Sequence, residues 1–132
     1  MFRYKATIKL HETDAAGRLF FTQQFKLFHD AYEELLSGLG LGFSVIFKKK
    51  NYFLPIVHAS ADYEKPLFVG DCLIIEVATK HVGETSFSLA YRLLKNKNTL
   101  VGRGETVHVA VSKKTSKKVS LPKEIHAALK KI

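Results

Sequence analysis

Sulfur is scarce in this chain of 132 residues, with a single cysteine at Cys72. A disulfide framework needs pairs and a thiolate zinc site needs a cluster, so both are excluded. Long apolar runs are missing as well. None approaches the ~18 residues of a bilayer-spanning helix, so no membrane segment is expected. The opening MFRYKATIKL has neither a hydrophobic signal core nor a small-residue cleavage site. No N-x-Ser/Thr acceptor occurs. These absences lead to the expectation of a reducing, cytoplasmic setting. Acidic residues are few: 12 Asp and Glu stand against 21 Lys and Arg, a net charge of +9.

What is present is enough for one core. Hydrophobic residues make up 46% of the chain, the usual globular share, which excludes a disordered tail or a collagen-like repeat. The length suits one domain, residues 1–132, rather than a multidomain enzyme. The positive charge is concentrated at the end. After residue 112 come Lys113, Lys114, Lys117, Lys118, Lys123, Lys130 and Lys131, against the single carboxylate of Glu124. Such a balance favours a polyanionic partner: nucleic acid, acidic lipid, or a phosphorylated small molecule such as coenzyme A. A solvated basic face is the plainer reading of the same residues, and of the run Lys48-Lys49-Lys50.

Periodicity then divides the chain. Phe2 to Leu10 alternates apolar and charged residues with a strand period of two. His11 to Gly17 is turn-like. From Thr22 to Leu36 the period becomes helical, with Phe25, Phe28, Tyr32, Leu35, Leu36 and Leu39 on one face. Thr22 is the candidate N-cap, and Ser37-Gly38 with Gly40 the stop. Phe43 to Lys50 reads as a helical turn or two. Four strands follow: Phe53 to Tyr63, Cys72 to His81, Thr85 to Leu94 and Thr99 to Ser112. The last carries Gly102 and Gly104 on one side, so something is expected to pack closely there. Pro122 to Leu129 suits a short terminal helix. Short links imply antiparallel neighbours. The sum is an α+β domain, one long apolar helix wrapped by a curved five-stranded antiparallel sheet. The edges of such a sheet invite pairing with a second copy.

Chemistry-bearing residues gather in one place. His11-Glu12-Thr13-Asp14 precedes Ala15-Ala16-Gly17 and the helix. Small residues let backbone approach a ligand, and a helix start offers free amides. A carboxylate beside such amides suits attack on a polarised carbonyl. Taken alone, the spacing favours an Asp14 that only caps a turn. His11 is a candidate partner of Asp14. The six histidines show no close metal spacing, so no metal is expected. Gly-x-Ser-x-Gly, a P-loop and a dinucleotide fingerprint are all lacking. Cys72, with no base near it in sequence, reads as a packing residue.

The stretch HETDAAGRLFFTQQFKLFHDAYEELL resembles the signature of hotdog-fold thioesterases, the 4-hydroxybenzoyl-CoA thioesterase and YbgC-like group. The later LPIVHASADYEKPLFVGDCLIIEV fits the same pattern. Its segment Leu54 to Ser60 is most similar to the 1,4-dihydroxy-2-naphthoyl-CoA hydrolases of menaquinone and phylloquinone synthesis. The resemblance covers residues 2 to about 126. It implies a hotdog fold and metal-free, cofactor-free hydrolysis of an acyl-CoA thioester.

By position, the family's catalytic aspartate falls on Asp14 and its loop glycine on Gly17. The residue whose backbone amide polarises the carbonyl falls on Phe21. The orienting Asn or Gln falls on Gln23. Departures exist. Arg18 and Leu19 stand where many relatives have two valines, and Phe20-Phe21 where many have Tyr-His. A backbone role at Phe21 survives that change. The resemblance further implies an acyl pocket from Phe20, Phe21, Phe25 and Val57, with His58 a candidate to face the acyl group or its hydroxyls, beside the plainer reading of a hydrogen-bonded strand histidine. Arg92, Arg103, Lys113, Lys114 and Lys117 are the candidates for the CoA phosphates. It also implies a site at a subunit interface, in a homodimer that assembles into a homotetramer. Two alternatives stand beside it: a YbgC-like thioesterase for short-chain or carrier-protein thioesters, and a non-catalytic basic module that binds nucleic acid. Against the latter, the aromatics sit at core-periodic positions rather than among the lysines.

Overall fold

The alternating start of the chain becomes an edge strand. In the computed structural model, which describes residues 1–132, β1 is Phe2–Thr7. It stops three residues short of the expected Leu10, which instead opens a 3-10 turn, Leu10–Glu12. The turn is held from inside, because buried Glu12 accepts the Lys9 amide at 2.7 Å.

Helix α1 runs Gln23–Gly38. It buries Leu27, Phe28, Ala31, Tyr32, Leu35 and Leu36, with Phe25 and Leu39 at the rim. Thr22 does not cap it. Its backbone is already helical (φ −71°, ψ −23°) and its side chain bonds to no amide. The other end stops as expected. Gly40, at φ +76°, lets the Leu41 amide reach back to the Leu36 carbonyl at 2.8 Å. A left-handed residue there is the usual glycine stop.

After α2 (Phe43–Lys49) the expected strand from Phe53 to Tyr63 divides. Pro55 separates β2 (Tyr52–Phe53) from β3 (Ile56–Tyr63). Proline has no amide for a ladder. The expected last strand divides too, into β6 (Thr99–Val109) and β7 (Val111–Ser112), and β7 pairs with β2 as a separate ribbon. Strands β4 (Cys72–Val82) and β5 (Ser86–Lys95) lie between. The chain closes with α3, Lys123–Lys130.

The main sheet has five strands in the order β1-β4-β5-β6-β3, all antiparallel. It wraps α1, and the two glycines of β6 show how closely. A Cβ at Gly102 would stand 2.8 Å from the Gln24 amide nitrogen, and one at Gly104 would run into the Phe28 ring and the Ser60 carbonyl. Phe28 itself stacks on Tyr91, ring centroids 4.6 Å apart. The far edge, β3, is exposed almost throughout. No helix is long and apolar enough to cross a membrane.

Candidate active site

The loop between β1 and α1 is built around Asp14. The Asp14 amide donates to the Arg18 carbonyl at 2.7 Å, and the Gly17 amide donates back to the Asp14 carbonyl at 3.0 Å. Gly17 turns the loop at φ +76°, a conformation that a Cβ would strain. One carboxylate oxygen, Oδ1, accepts the amides of Ala16 (2.9 Å) and Arg18 (3.2 Å). The other, Oδ2, bonds to no protein group. The loop is pinned from outside by Leu19 to the Leu67 carbonyl (2.7 Å) and Phe20 to the Glu12 carbonyl (2.9 Å). The carboxylate is thus exposed, yet aimed by backbone.

Asp14 borders a cleft of about 270 Å³ shared with Arg18, Leu19, Gln24, Tyr63 and Lys65. Gln24 is 1% exposed, and its side-chain amide donates to the Asp62 carbonyl at 3.0 Å. Tyr63 donates its hydroxyl to the Phe21 carbonyl at 2.5 Å. Partial desolvation raises its phenol above the usual value. Neither residue was expected. Gln24 carried a signal, since it lies on the buried helical face four residues before Phe28. The neighbouring Gln23, expected as the orienting amide, opens α1 half-buried and its side chain makes no hydrogen bond.

The helix entrance supplies the donors. The Gln23 amide turns back to the Phe20 carbonyl at 2.9 Å, while the Phe21 and Thr22 amides find no acceptor in the chain. Free amides at a helix start carry partial positive charge. The Phe20 and Phe21 rings, 4.9 Å apart, stand open to solvent, with Phe21 60% exposed. Phe25 packs edge-on against Phe28 and belongs to the core rim.

Other expected residues lie elsewhere. His58 is opposite Val107 in the β3–β6 ladder. Facing partners share a side of the sheet. The next residue, His108, is buried on the α1 side against Phe87 and Tyr32. His58 is therefore on the outer side, and within one chain it does not reach the Asp14 cleft. Val57 sits at the bulge between Ile56 and His58 and is 58% exposed. His11 does not touch Asp14. With Glu12 it lines the largest cavity, about 800 Å³, between β1, β4 and α1. Cys72 is exposed at the start of β4 rather than packed.

The basic candidates divide. Arg92 and Arg3 both bond Glu76 at 3.1 Å, and Arg103 bonds Glu64 at 3.0 Å. Lys113 gives its ammonium to the Ile46 and Phe47 carbonyls (2.7 and 2.8 Å) at the end of α2. That is a helix-end cap, so the ammonium is already engaged by α2. Lys114 and Lys117 are exposed, and neither side chain makes an ion pair.

Comparison with known proteins converges on one group. A family model described as thioesterase-like superfamily matches residues 8–129. A 1,4-dihydroxy-2-naphthoyl-CoA hydrolase of Rippkaea orientalis is 33% identical over 96% of this chain and 94% of its own length. One from Prochlorococcus marinus is 36% identical, over 92% and 83%. The crystal structure of a 1,4-dihydroxy-2-naphthoyl-CoA thioesterase from Synechocystis superposes with a TM-score of 0.92 at 30% identity, covering 99% of this chain and 96% of that one.

Proposed function

The chain belongs to the thioesterase-like superfamily, and from that membership we propose that it hydrolyses 1,4-dihydroxy-2-naphthoyl-CoA to the naphthoate and coenzyme A. Menaquinone or phylloquinone synthesis is the process this serves. The observation that carries the reading is Asp14, held at Oδ1 by two amides and free at Oδ2, at the mouth of a cleft beside unpaired helix amides.

The chemistry follows from the parts. The Phe21 amide takes the thioester oxygen and stabilises the charge that develops there. Oδ2 of Asp14 then either attacks the carbonyl carbon, giving an acyl anhydride that water cleaves after the thiolate has left, or removes a proton from a water that attacks directly. Because Oδ1 is held by Ala16 and Arg18, no side-chain motion is needed to aim Oδ2. The thiolate of coenzyme A departs without help from a metal. Gln24, rather than Gln23, is the side chain positioned to hold the carbonyl or the water.

A second copy completes this arrangement. Strand β3 offers an unpaired edge with Ile56, Val57 and Tyr63 exposed, next to the open Phe20 and Phe21 rings. Pairing two β3 edges covers these surfaces and places an aromatic-rich wall around the acyl group. Dimers of this kind then associate into a tetramer in the cytoplasm.

A panel of acyl-CoA esters tests the substrate. kcat/KM is expected to be at least about 100-fold higher for the dihydroxynaphthoyl ester than for acetyl-CoA or hexanoyl-CoA. A flat profile contradicts the naphthoyl assignment and favours a general acyl-CoA hydrolase.

A further inference from the structure

Glu12 is a charged side chain that the mechanism leaves unused, yet it is only 2% exposed. It stands just before Thr13 and Asp14 and bonds through both carboxylate oxygens and its carbonyl. Oε1 accepts the Lys9 amide at 2.7 Å, and Oε2 takes the Lys26 ammonium at 3.3 Å. The carbonyl accepts the Phe20 amide at 2.9 Å. We propose that Glu12 and Lys26 are a positioning pair for the hydrolysis, fixing the distance between Oδ2 of Asp14 and the Phe21 amide. The proposal rests on the thioesterase reading above and adds two residues to its site.

The path of the backbone is the first support. Glu12 faces Phe20, Thr13 faces Leu19 and Asp14 faces Arg18, as a short antiparallel hairpin. Asp14 lies on its outgoing limb and Phe20 on its return. Glu12 sits at the root. The Phe20 carbonyl accepts the Gln23 amide at 2.9 Å. That carbonyl and the Phe21 amide belong to one planar peptide group, so holding the carbonyl also sets the direction of the amide. Phe20 is thus tied to Glu12 through its nitrogen and to the helix start through its carbonyl. The limb with Asp14 and the peptide with the oxyanion donor share one anchor, the main chain of Glu12.

Charge is the second. Burying a carboxylate is costly unless it is paired, and Lys26 is the cation that meets this one. Lys26 lies one turn into α1 from Gln23, so the ion pair fastens the hairpin root to the helix whose first amides are free. A closed circuit results. It runs from Glu12 to Lys26, along α1 to Gln23, across to Phe20 and back to Glu12. Such a circuit removes motions that would separate the attacking oxygen from the oxyanion donor. A neutral glutamine would serve the Lys9 amide as well. The second oxygen and its charge serve only the link to α1.

The test breaks the pair from each side and measures steady-state kinetics on the dihydroxynaphthoyl ester. Glu12→Gln is expected to lower kcat about tenfold or more, with KM within about twofold of the wild type. Lys26→Met is expected to do the same, and Lys26→Arg to restore most of the rate. Both changes together are expected to lower kcat no further than either alone. Lys26 also bonds Asp30 at 2.9 Å, and Asp30→Asn is expected to leave kcat unchanged. Melting temperature and the stoichiometry of binding a non-hydrolysable thioether analogue are expected to match the wild type. A kcat within about twofold of the wild type in Glu12→Gln overturns the proposal. So does a fall in kcat matched by an equal loss of binding sites, which marks a fold defect, or an equal fall in Asp30→Asn. A double variant whose fall is the product of the two single falls overturns the pairing. Lys26 is 48% exposed, so its replacement leaves no hole in the core. Should Lys26→Met nevertheless fail to fold, Glu12→Gln decides alone. A wild-type protein inactive on every acyl-CoA overturns the thioesterase reading, and this proposal with it.

Discussion

At the scale of single residues, aim comes from backbone. Asp14 is exposed, and what fixes it is the pair of amides on Oδ1 and the glycine turn behind it. Tyr63 fixes the other half. Its hydroxyl holds the Phe21 carbonyl, at the helix entrance from which the free amides point. Tyr63→Phe is expected to lower kcat about tenfold with KM little changed, since the entrance loosens while the binding surface stays. Steady-state kinetics on the naphthoyl ester checks this, and an unaltered kcat removes Tyr63 from the mechanism. The turn at Asp14 and Gly17 was legible in the sequence from its small residues before a helix start, whereas the catalytic part given to Asp14 came from the family resemblance, since spacing alone also suits a turn cap. Gln24 was nearly legible. It shares the buried face of α1 and borders the Asp14 cleft, one residue and about 100° of helix from the expected Gln23. Tyr63 was not legible, since its partner lies 42 positions away and is a carbonyl, which leaves no side-chain pattern.

At the scale of elements, one close approach organises the site. β6 passes under α1 at Gly102 and Gly104, and Gln24 and Phe28 fill the space a side chain would take. This sets how deep the N-terminal half of α1 sits, and so where its free amides point. Gly104→Ala is expected to cost about 3 kcal/mol, because one side of the clash is the Ser60 carbonyl and cannot rotate away. Denaturant unfolding checks it, and a loss under about 0.5 kcal/mol contradicts the packing account. The strand-forming segments and the long helix were legible from periods of two and 3.6. The breaks were less so. Pro55 announces the β2–β3 break by its missing amide, whereas Ala110, which separates β6 from β7, carries no such mark. The face on which His58 falls depends on the bulge at Val57, and alternation read along one strand cannot locate a bulge in a ladder.

At the scale of the whole molecule, polar groups buried under the sheet set the response to acid. His108 is fully buried and its Nε2 meets Thr106 Oγ1 at 2.8 Å, which in turn meets the Tyr91 hydroxyl at 2.9 Å. Burial lowers His108 from 6.5 to about 4, with a nearby Leu54 carbonyl opposing and His29 adding to the shift. The unfolded chain thus takes up a proton before the folded one does. Stability is complete above about pH 6.5 and falls as pH drops toward 4, by about 3 kcal/mol in all. His108→Gln is expected to flatten that slope in denaturant melts between pH 7 and 4. A slope equal to the wild type's contradicts the assignment. The net charge of +9 also takes on a definite shape at this scale. Its arginines mostly neutralise carboxylates across the sheet, and its unpaired excess includes Lys48, Lys49 and Lys123 beside β2.

The central claim is that the free oxygen of Asp14 performs thioester hydrolysis, and one substitution isolates it. Asparagine keeps Oδ1 for the Ala16 and Arg18 amides and replaces only Oδ2. Release of free coenzyme A from 1,4-dihydroxy-2-naphthoyl-CoA is to be measured for the wild type and for Asp14→Asn at matched concentration. The expected result is a fall in kcat of about 1,000-fold or more with an unchanged melting temperature. Turnover within about threefold of the wild type would contradict the account.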